Sequence, residues 1–274
     1  MKKFKISKIV LYAFLIIYSL ITLYPFLWAV SASFKPYAEI VGGNMGLMSK
    51  NFTTENFSYI FTRDPNFINW VINSFIIAIL GSLVNILFNS LAGYSLARLE
   101  FPGKDAIFYT ILALIMVPGQ VLLIPNFLII SRLGLLNKLP SVILPMAANA
   151  TYIFMMRQFF LSFPKSVEEA AAIDGLGRFQ IFLRIALPIA LPSVSTQAVF
   201  VFLGLWNNFQ LPMLYLKDPA KYTLTLGLQS FQGRYATQWN YTMAASIISI
   251  LPILFLYIVL NKYFMKGMRL GGEK

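Results

Sequence analysis

Residues 164–192 read PKSVEEAAAIDGLGRFQIFLRIALPIALP, a polar stretch set into a very apolar chain. Ser166 followed by Glu169 has the spacing of a capping box, in which hydroxyl and carboxylate satisfy the orphan amides of a first helical turn. That spacing predicts a helix starting directly after Pro164, with Val167, Ala170, Ala171 and Asp174 on one face. Small alanine side chains there let another surface come close. Gly175 and Gly177, both tolerant of positive φ, are expected to stop the helix. From Arg178 onward apolar residues return at Phe179, Phe182, Ile185 and Ala186, and Pro188 is expected to end this second run. The product is an L-shaped knob between two membrane-length apolar runs. Lys165, Arg178 and Arg184 place it on the cytoplasmic side.

The rest of the chain is built for a bilayer. Of its 274 residues 58% are hydrophobic and only 12% charged, with a mean hydropathy of +0.70, which excludes an ordinary soluble domain. Cysteine and histidine are both absent, removing thiol chemistry, disulfides, imidazole bases and the usual zinc ligands. Six apolar runs reach the length needed to cross about 30 Å of hydrocarbon at about 1.5 Å per residue. They lie near Ile9 to Val30, Ile68 to Leu91, Ala106 to Ile130, Val142 to Phe160, Leu191 to Leu205 and Met243 to Phe264. The predicted fold class is an all-α polytopic membrane protein with six transmembrane helices.

Basic residues orient the spans. With the N-terminus inside, 14 of the 22 Lys and Arg fall in cytoplasmic segments, predicting both termini in the cytoplasm. The formal charge of +12 then reflects topology and contact with anionic membrane lipids. No basic run is interleaved with aromatics in a soluble module, so no nucleic acid is expected as a partner. The first apolar run is too long for a cleaved signal sequence and reads as a retained span.

Glu169, Ala170, Ala171, Asp174, Gly175, Ile185, Leu187 and Pro188, at these spacings, form the pattern of the EAA loop. The chain resembles the permease subunits of bacterial ABC importers, specifically the maltose-type subunits for carbohydrates. Met116-Val117-Pro118-Gly119-Gln120, Leu133-Gly134-Leu135-Leu136-Asn137, Arg157-Gln158-Phe159-Phe160, Trp206-Asn207-Asn208-Phe209-Gln210-Leu211-Pro212 and Lys266-Gly267-Met268-Arg269-Leu270-Gly271-Gly272 are similar to that group in the same order.

The resemblance implies a MetI-like core at 68–264, an added first helix and external loop at 1–67, and a cytoplasmic tail at 265–274. It also implies that the EAA loop is a coupling helix docking into a separate ATPase subunit, with Glu168, Glu169, Asp174, Gly175 and Arg178 at or near the contact. The implied partners are two ATPase subunits, a second permease forming a heterodimer, and an extracytoplasmic sugar-binding protein met by Tyr235, Gln238 and Trp239. ATP and Mg would be bound by the ATPase partners, with no cofactor in this chain. The implied location is the cytoplasmic membrane of a bacterium.

Polar residues inside the spans need partners that lipid does not offer. Ser82, Asn85, Asn89 and Gly93 share one helical face, and Ser193, Gln197, Phe200, Gly204 and Asn207 are predicted to share another. Two readings stand: helix packing through small residues and interhelical hydrogen bonds, or the wall of a sugar pathway. Asn85, Asn89, Gln120, Asn149, Tyr152, Gln197, Trp206 and Asn207 are the candidates for the second. Away from their ends the six spans contain no Asp, Glu, Lys or Arg, which argues against ion coupling. No Gly-x-x-x-x-Gly-Lys-Ser/Thr motif occurs, so ATP hydrolysis must come from a partner. Alternatives are a membrane enzyme acting on lipid-linked sugars, for which Glu168, Glu169 and Asp174 are the only clustered acids, a permease for another neutral solute, and a passive channel.

Overall fold

The computed structural model describes residues 6–63, 65–231 and 237–272. Helix α1 (Ile6–Ser33) is followed by the short α2 (Tyr37–Val41) and α3 (Glu55–Arg63), then by the long α4 (Phe67–Arg98). At about 1.5 Å per residue the 32 residues of α4 extend roughly 48 Å, enough to cross a bilayer core and project beyond it.

The third apolar run is not one straight span. Helix α5 (Lys104–Ile115) stops before Pro118, a 3-10 turn covers Gly119–Leu122, and α6 (Leu123–Arg132) leaves at 101° to α5. Pro118 lacks the amide that would continue the helix, and its fixed φ of −60° carries an extended ψ of 129°.

The fourth run is also broken. It consists of α7 (Pro140–Ile143), a 3-10 turn at Leu144–Met146 and α8 (Ala150–Ser162). Asn149 is extended (φ −140°, ψ 123°), and its side chain accepts from the amides of Thr151 and Tyr152, so a new helix starts where continuity was expected. Helices α9 (Lys165–Ile173), α10 (Arg178–Ile181) and α11 (Leu187–Ile189) lead through a bend of 78° into α12 (Leu191–Trp206). Helices α13 (Gln210–Tyr215), α14 (Leu224–Gly227) and α15 (Trp239–Gly272) complete the described chain. Three helices, α1, α4 and α15, are long and apolar enough to cross a membrane, and each bent pair taken as one span raises that to five.

The chain divides into two compact units. One comprises residues up to Ile68 together with Gly227–Pro252. In it, the predicted loop after α1 is a folded knot. Glu39 accepts from the backbone amides of Lys50 and Asn51 and from the side chains of Asn44 and Ser49. The buried Lys35 ammonium donates to the carbonyls of Asn44 and Gly46. Asn56 donates to the carbonyls of Ser33 and Lys35 and accepts from Asn240, while Tyr59 stacks on Tyr241 with ring centres 4.1 Å apart.

The other unit comprises Asn69–Leu226 and Ile253 onward. Here Trp70 and Asn73 near the start of α4 donate to the carbonyls of Pro219, Ala220 and Tyr222. Asn137, at a φ of 59°, donates its amide to Tyr215 and accepts from the amides of Lys217 and Asp218. The segment 210–224 is therefore stitched to the helices rather than hanging free, and the Asn of the Leu133-to-Asn137 motif is one of the stitches.

Candidate functional site: a bent segment latched to the end of α4

The segment singled out by sequence folds as a helix, a tight elbow and a second helical run. Helix α9 begins at Lys165 with Pro164 as its N-cap, and no side chain caps it. The predicted Ser166–Glu169 capping box does not form. The helix does start directly after Pro164, two residues before a Ser166 cap would start it, so Ser166 falls in the first turn, and both side chains are exposed.

The elbow is a Schellman motif, with the Leu176 amide on the Ala171 carbonyl and the Gly175 amide on the Ala172 carbonyl. Gly175 takes the left-handed conformation this motif requires, at φ +84°. Gly177 does not: at φ −71° it is the N-cap of α10, and its amide is accepted by the Gln180 side chain. Nor does Pro188 end the second run. A π turn at Phe182–Ala186 precedes it and helix continues to Ile189, with the bend falling at Ala190. The wider turn accommodates the missing proline amide, since the Arg184 carbonyl has no i+4 donor to receive.

The predicted four-residue face divides. Ala171 is buried against its own chain, whereas Val167, Ala170 and Asp174 are exposed. Glu168 shares the inward face with Ala171. Its Oε1 lies 2.9 Å from Arg98 Nε, with side-chain exposures of only 8% and 3%, and its Oε2 accepts from the Tyr94 hydroxyl at 3.2 Å. The Arg98 N–H is not aimed at Oε1, so charge and proximity hold the pair more than a formed hydrogen bond does. Arg98 also donates through Nη2 to the Phe163 carbonyl and lies over the Phe163 ring, 5.6 Å from its centre.

Beneath the pair, Tyr94, Ala97, Met156, Phe160, Phe182, Ala186 and Ala190 form one apolar cluster, with the Tyr94 ring edge-on to Phe160 at 5.3 Å. Neither Arg98 nor Tyr94 stands out as a site residue in the sequence. The available signal was their i, i+4 spacing at a helix end, four residues being one turn.

What the segment leaves outside is a mixed rim of apolar, small and charged residues. Ile173 is 87% exposed at the elbow and Phe179 61% exposed beyond it, flanked by exposed Glu169, Ala170, Asp174, Gly175 and Arg178. Ile185 and Leu187 are half-buried and Pro188 is exposed. An exposed rim of this composition, set on a buried ionic anchor, is suited to receiving another protein surface.

Residues 89–270 match the family of binding-protein-dependent transport system inner membrane components. The chain belongs to that family. It is 34% identical over 256 residues to an arabinooligosaccharides transport system permease protein of Halalkalibacterium halodurans, covering 93% of this chain and 92% of that one. It is also 34% identical over 255 residues to a diacetylchitobiose uptake system permease protein of Streptomyces coelicolor, covering 92% and 84%. In fold it is similar to a chain of a bacterial ABC transporter involved in the import of alginate, with a TM-score of 0.87, 24% identity, and 96% and 98% of the two chains covered.

Within this inner membrane component the other candidate residues separate clearly. Asn85, Asn89 and Gln197 are buried and bonded to one another and to the break before α8. Asn85 donates to the Met146 carbonyl, Asn89 donates to the Ala147 carbonyl and accepts from the Asn149 amide, and Gln197 donates to Asn85 Oδ1 at 2.8 Å. Trp206 is buried against Phe75 and Phe202. Gln120, Asn149 and Asn207 are exposed, and Tyr152 is half-buried.

The predicted face on α4 holds, with Ser82, Asn85, Asn89 and Gly93 all buried; the one on α12 does not, because Gln197 points inward while Phe200, Gly204 and Asn207 are exposed. Gln197 is held inward by its bond to Asn85 Oδ1. Gln238 and Trp239, at the start of α15, are exposed, whereas Tyr235 lies outside the described residues.

Proposed function

We propose that this chain is a permease subunit of an ATP-driven importer that moves a sugar or oligosaccharide across the cytoplasmic membrane of a bacterium. Family membership supports transport, and the saccharide transport named for its relatives supports the substrate class. The observation that carries the coupling mechanism is the exposed elbow at Ile173, held on a segment whose inner side is fixed by Glu168 to Arg98.

In this reading two separate ATPase subunits bind ATP and Mg and receive residues 165–187 as the docking element, with both chain termini cytoplasmic. Glu169, Ala170, Asp174, Gly175 and Arg178 form the contact rim, whereas Ala171 and Glu168 face inward and set its angle. Closure of the ATPases on nucleotide would carry the elbow with it and shift the helices between inward-open and outward-open arrangements. A second permease completes the membrane portion, residues 68–264 supply this chain's share of the core, and an extracytoplasmic sugar-binding protein delivers substrate near Gln238 and Trp239. Gln120, Asn149, Tyr152 and Asn207 remain candidates to touch the sugar. Asn85, Asn89, Gln197 and Trp206 act as the packing behind that wall, because all four are buried, the side-chain amides of Asn85, Asn89 and Gln197 donate to internal partners, and Trp206 packs on Phe75 and Phe202.

The reading as an enzyme on lipid-linked sugars is weaker, since Glu168, one of the three acids it needs, is occupied by Arg98 and Tyr94. Reconstitution in proteoliposomes with co-expressed ATPase subunits, second permease and binding protein tests the proposal. ATP hydrolysis that rises with a sugar-loaded binding protein supports it; hydrolysis indifferent to every sugar and binding protein tried contradicts it.

A further inference from the structure

The Arg98–Glu168 pair joins elements 70 positions apart in sequence, whereas the other ion pairs among the described residues are local, at i+4 and i+3. The apolar cluster around Tyr94 packs α4 against α8 and against Phe182–Ala190 but includes no residue of α9, so the pair, with the Tyr94 hydroxyl on the second carboxylate oxygen, is a direct tie between α9 and α4. A buried ion pair adds little net stability once desolvation is counted, so its worth here lies in the close contact it fixes between α9 and α4, and removing one partner leaves an uncompensated buried charge that breaks that contact.

From Arg98 one continuous helix leads back to Asn89 and Asn85, about 14 to 20 Å away at the α-helical rise. There α4 holds the break before α8 by its exposed backbone groups: the Met146 and Ala147 carbonyls and the Asn149 amide. The same helix therefore has an ionic joint to the bent segment at one end and a polar grip on a discontinuous helix along its length.

We propose that Glu168 and Arg98 are positioning residues for transport, forming a joint through which movement of the docking segment is passed to α4 and, by way of Asn85 and Asn89, to the helix break at 146–149. The inference rests on the coupling role assigned to residues 165–187. Tyr94 serves the joint by holding the second Glu168 oxygen, so that the carboxylate cannot rotate away from the guanidinium. Loss of the joint leaves Phe182–Ala190 packed on α4 and α8 through the apolar cluster but lets α9 turn against α4, and nucleotide-driven movement is then dissipated before it reaches the break.

The test uses the reconstituted transporter with its ATPase subunits and sugar-loaded binding protein, and measures ATP hydrolysed per sugar imported alongside the amount of assembled complex. Arg98→Met and Glu168→Met each leave a buried charge unpaired, and each is expected to raise the ATP-to-sugar ratio about tenfold, a factor ordinary for an inter-site coupling energy. In the double variant R98M/E168M two apolar side chains refill the dry space, and the ratio is expected to return most of the way toward the wild-type value.

Single variants that assemble and keep the wild-type ratio overturn the proposal, as does a double variant no better than the singles. If the singles do not assemble, the double variant alone decides: a near-normal ratio supports a joint replaceable by any rigid contact, and a raised ratio in an assembled complex contradicts it. Failure of the underlying coupling reading shows differently, as a wild-type complex in which ATP hydrolysis and sugar import are unconnected.

Discussion

Gly93 and Met156 bring α4 and α8 into backbone contact: a methyl placed on Gly93 would come within 2.7 Å of the Met156 Cβ and 2.9 Å of the Arg157 amide nitrogen. Neither neighbour is the free end of a flexible side chain, so the helices would have to part. Gly93→Leu is expected to destabilise the protein by about 3 kcal/mol or more, at the upper end for overpacking. Denaturant unfolding of the purified protein in detergent, compared with wild type, measures this; an unchanged midpoint would show that the two helices are not in contact there.

Asn89 makes three buried polar contacts, to the Asn85 and Ala147 carbonyls and to the Asn149 amide. Asn89→Leu keeps the approximate size and removes all three bonds. It leaves backbone groups of the helix break unpaired, at about 1–3 kcal/mol each where they are buried. Hydrogen exchange at the Asn149 amide is expected to accelerate in this variant, with amides in the middle of α4 much less affected.

The two glycines of the bent segment have opposite tolerances. Gly175 sits at φ +84°, where an L side chain is strained, whereas Gly177 sits at φ −71° with no near neighbour but the Gln180 side chain. Gly175→Ala is expected to cost about 1 kcal/mol and to lower sugar-driven ATP hydrolysis by tilting the elbow, while Gly177→Ala changes either by little. Side-by-side turnover assays on the two variants distinguish this from a general intolerance of the loop.

Much of the architecture is legible in the sequence. Apolar length marked α1, α4 and α15, and fixed spacing from Glu169 to Pro188 marked the bent segment. The breaks in the third and fourth runs were hidden because hydropathy averages over residues such as Pro118, Pro145 and Asn149, whose effects are on the backbone and not on polarity. The inner side of α9 was hidden for another reason. Ser166 and Glu169 satisfy a local rule, but the helix register is set by Glu168 meeting Arg98, and a partner 70 positions away leaves no periodic mark.

Glu39 supplies a pH-dependent contact. The Lys50 amide is the largest influence holding its carboxyl below the usual carboxylate range, with Ser49, Asn51 and Asn44 adding to it and partial burial opposing. A depressed folded-state pKa means the contribution is present above the unfolded pKa and is lost as pH falls through the folded value. Exchange protection at the Lys50 and Asn51 amides is therefore expected to be full at neutral pH and to fall in the acid range below the ordinary glutamate pKa. Glu39→Gln should remove most of that pH dependence; persistence of the transition in the Gln variant would assign it to another group.

The central claim is that residues 165–187 form a cytoplasmic handle grasped by an ATPase. Because the chain has no cysteine, Ile173→Cys places a single thiol at the exposed elbow. Labelling by a membrane-impermeant thiol reagent is the decisive measurement. The account predicts no labelling in intact cells, ready labelling in inside-out vesicles holding the permease alone, and protection when the ATPase subunits are co-expressed. Labelling from outside intact cells, or labelling in inside-out vesicles that the ATPase subunits do not alter, would contradict it.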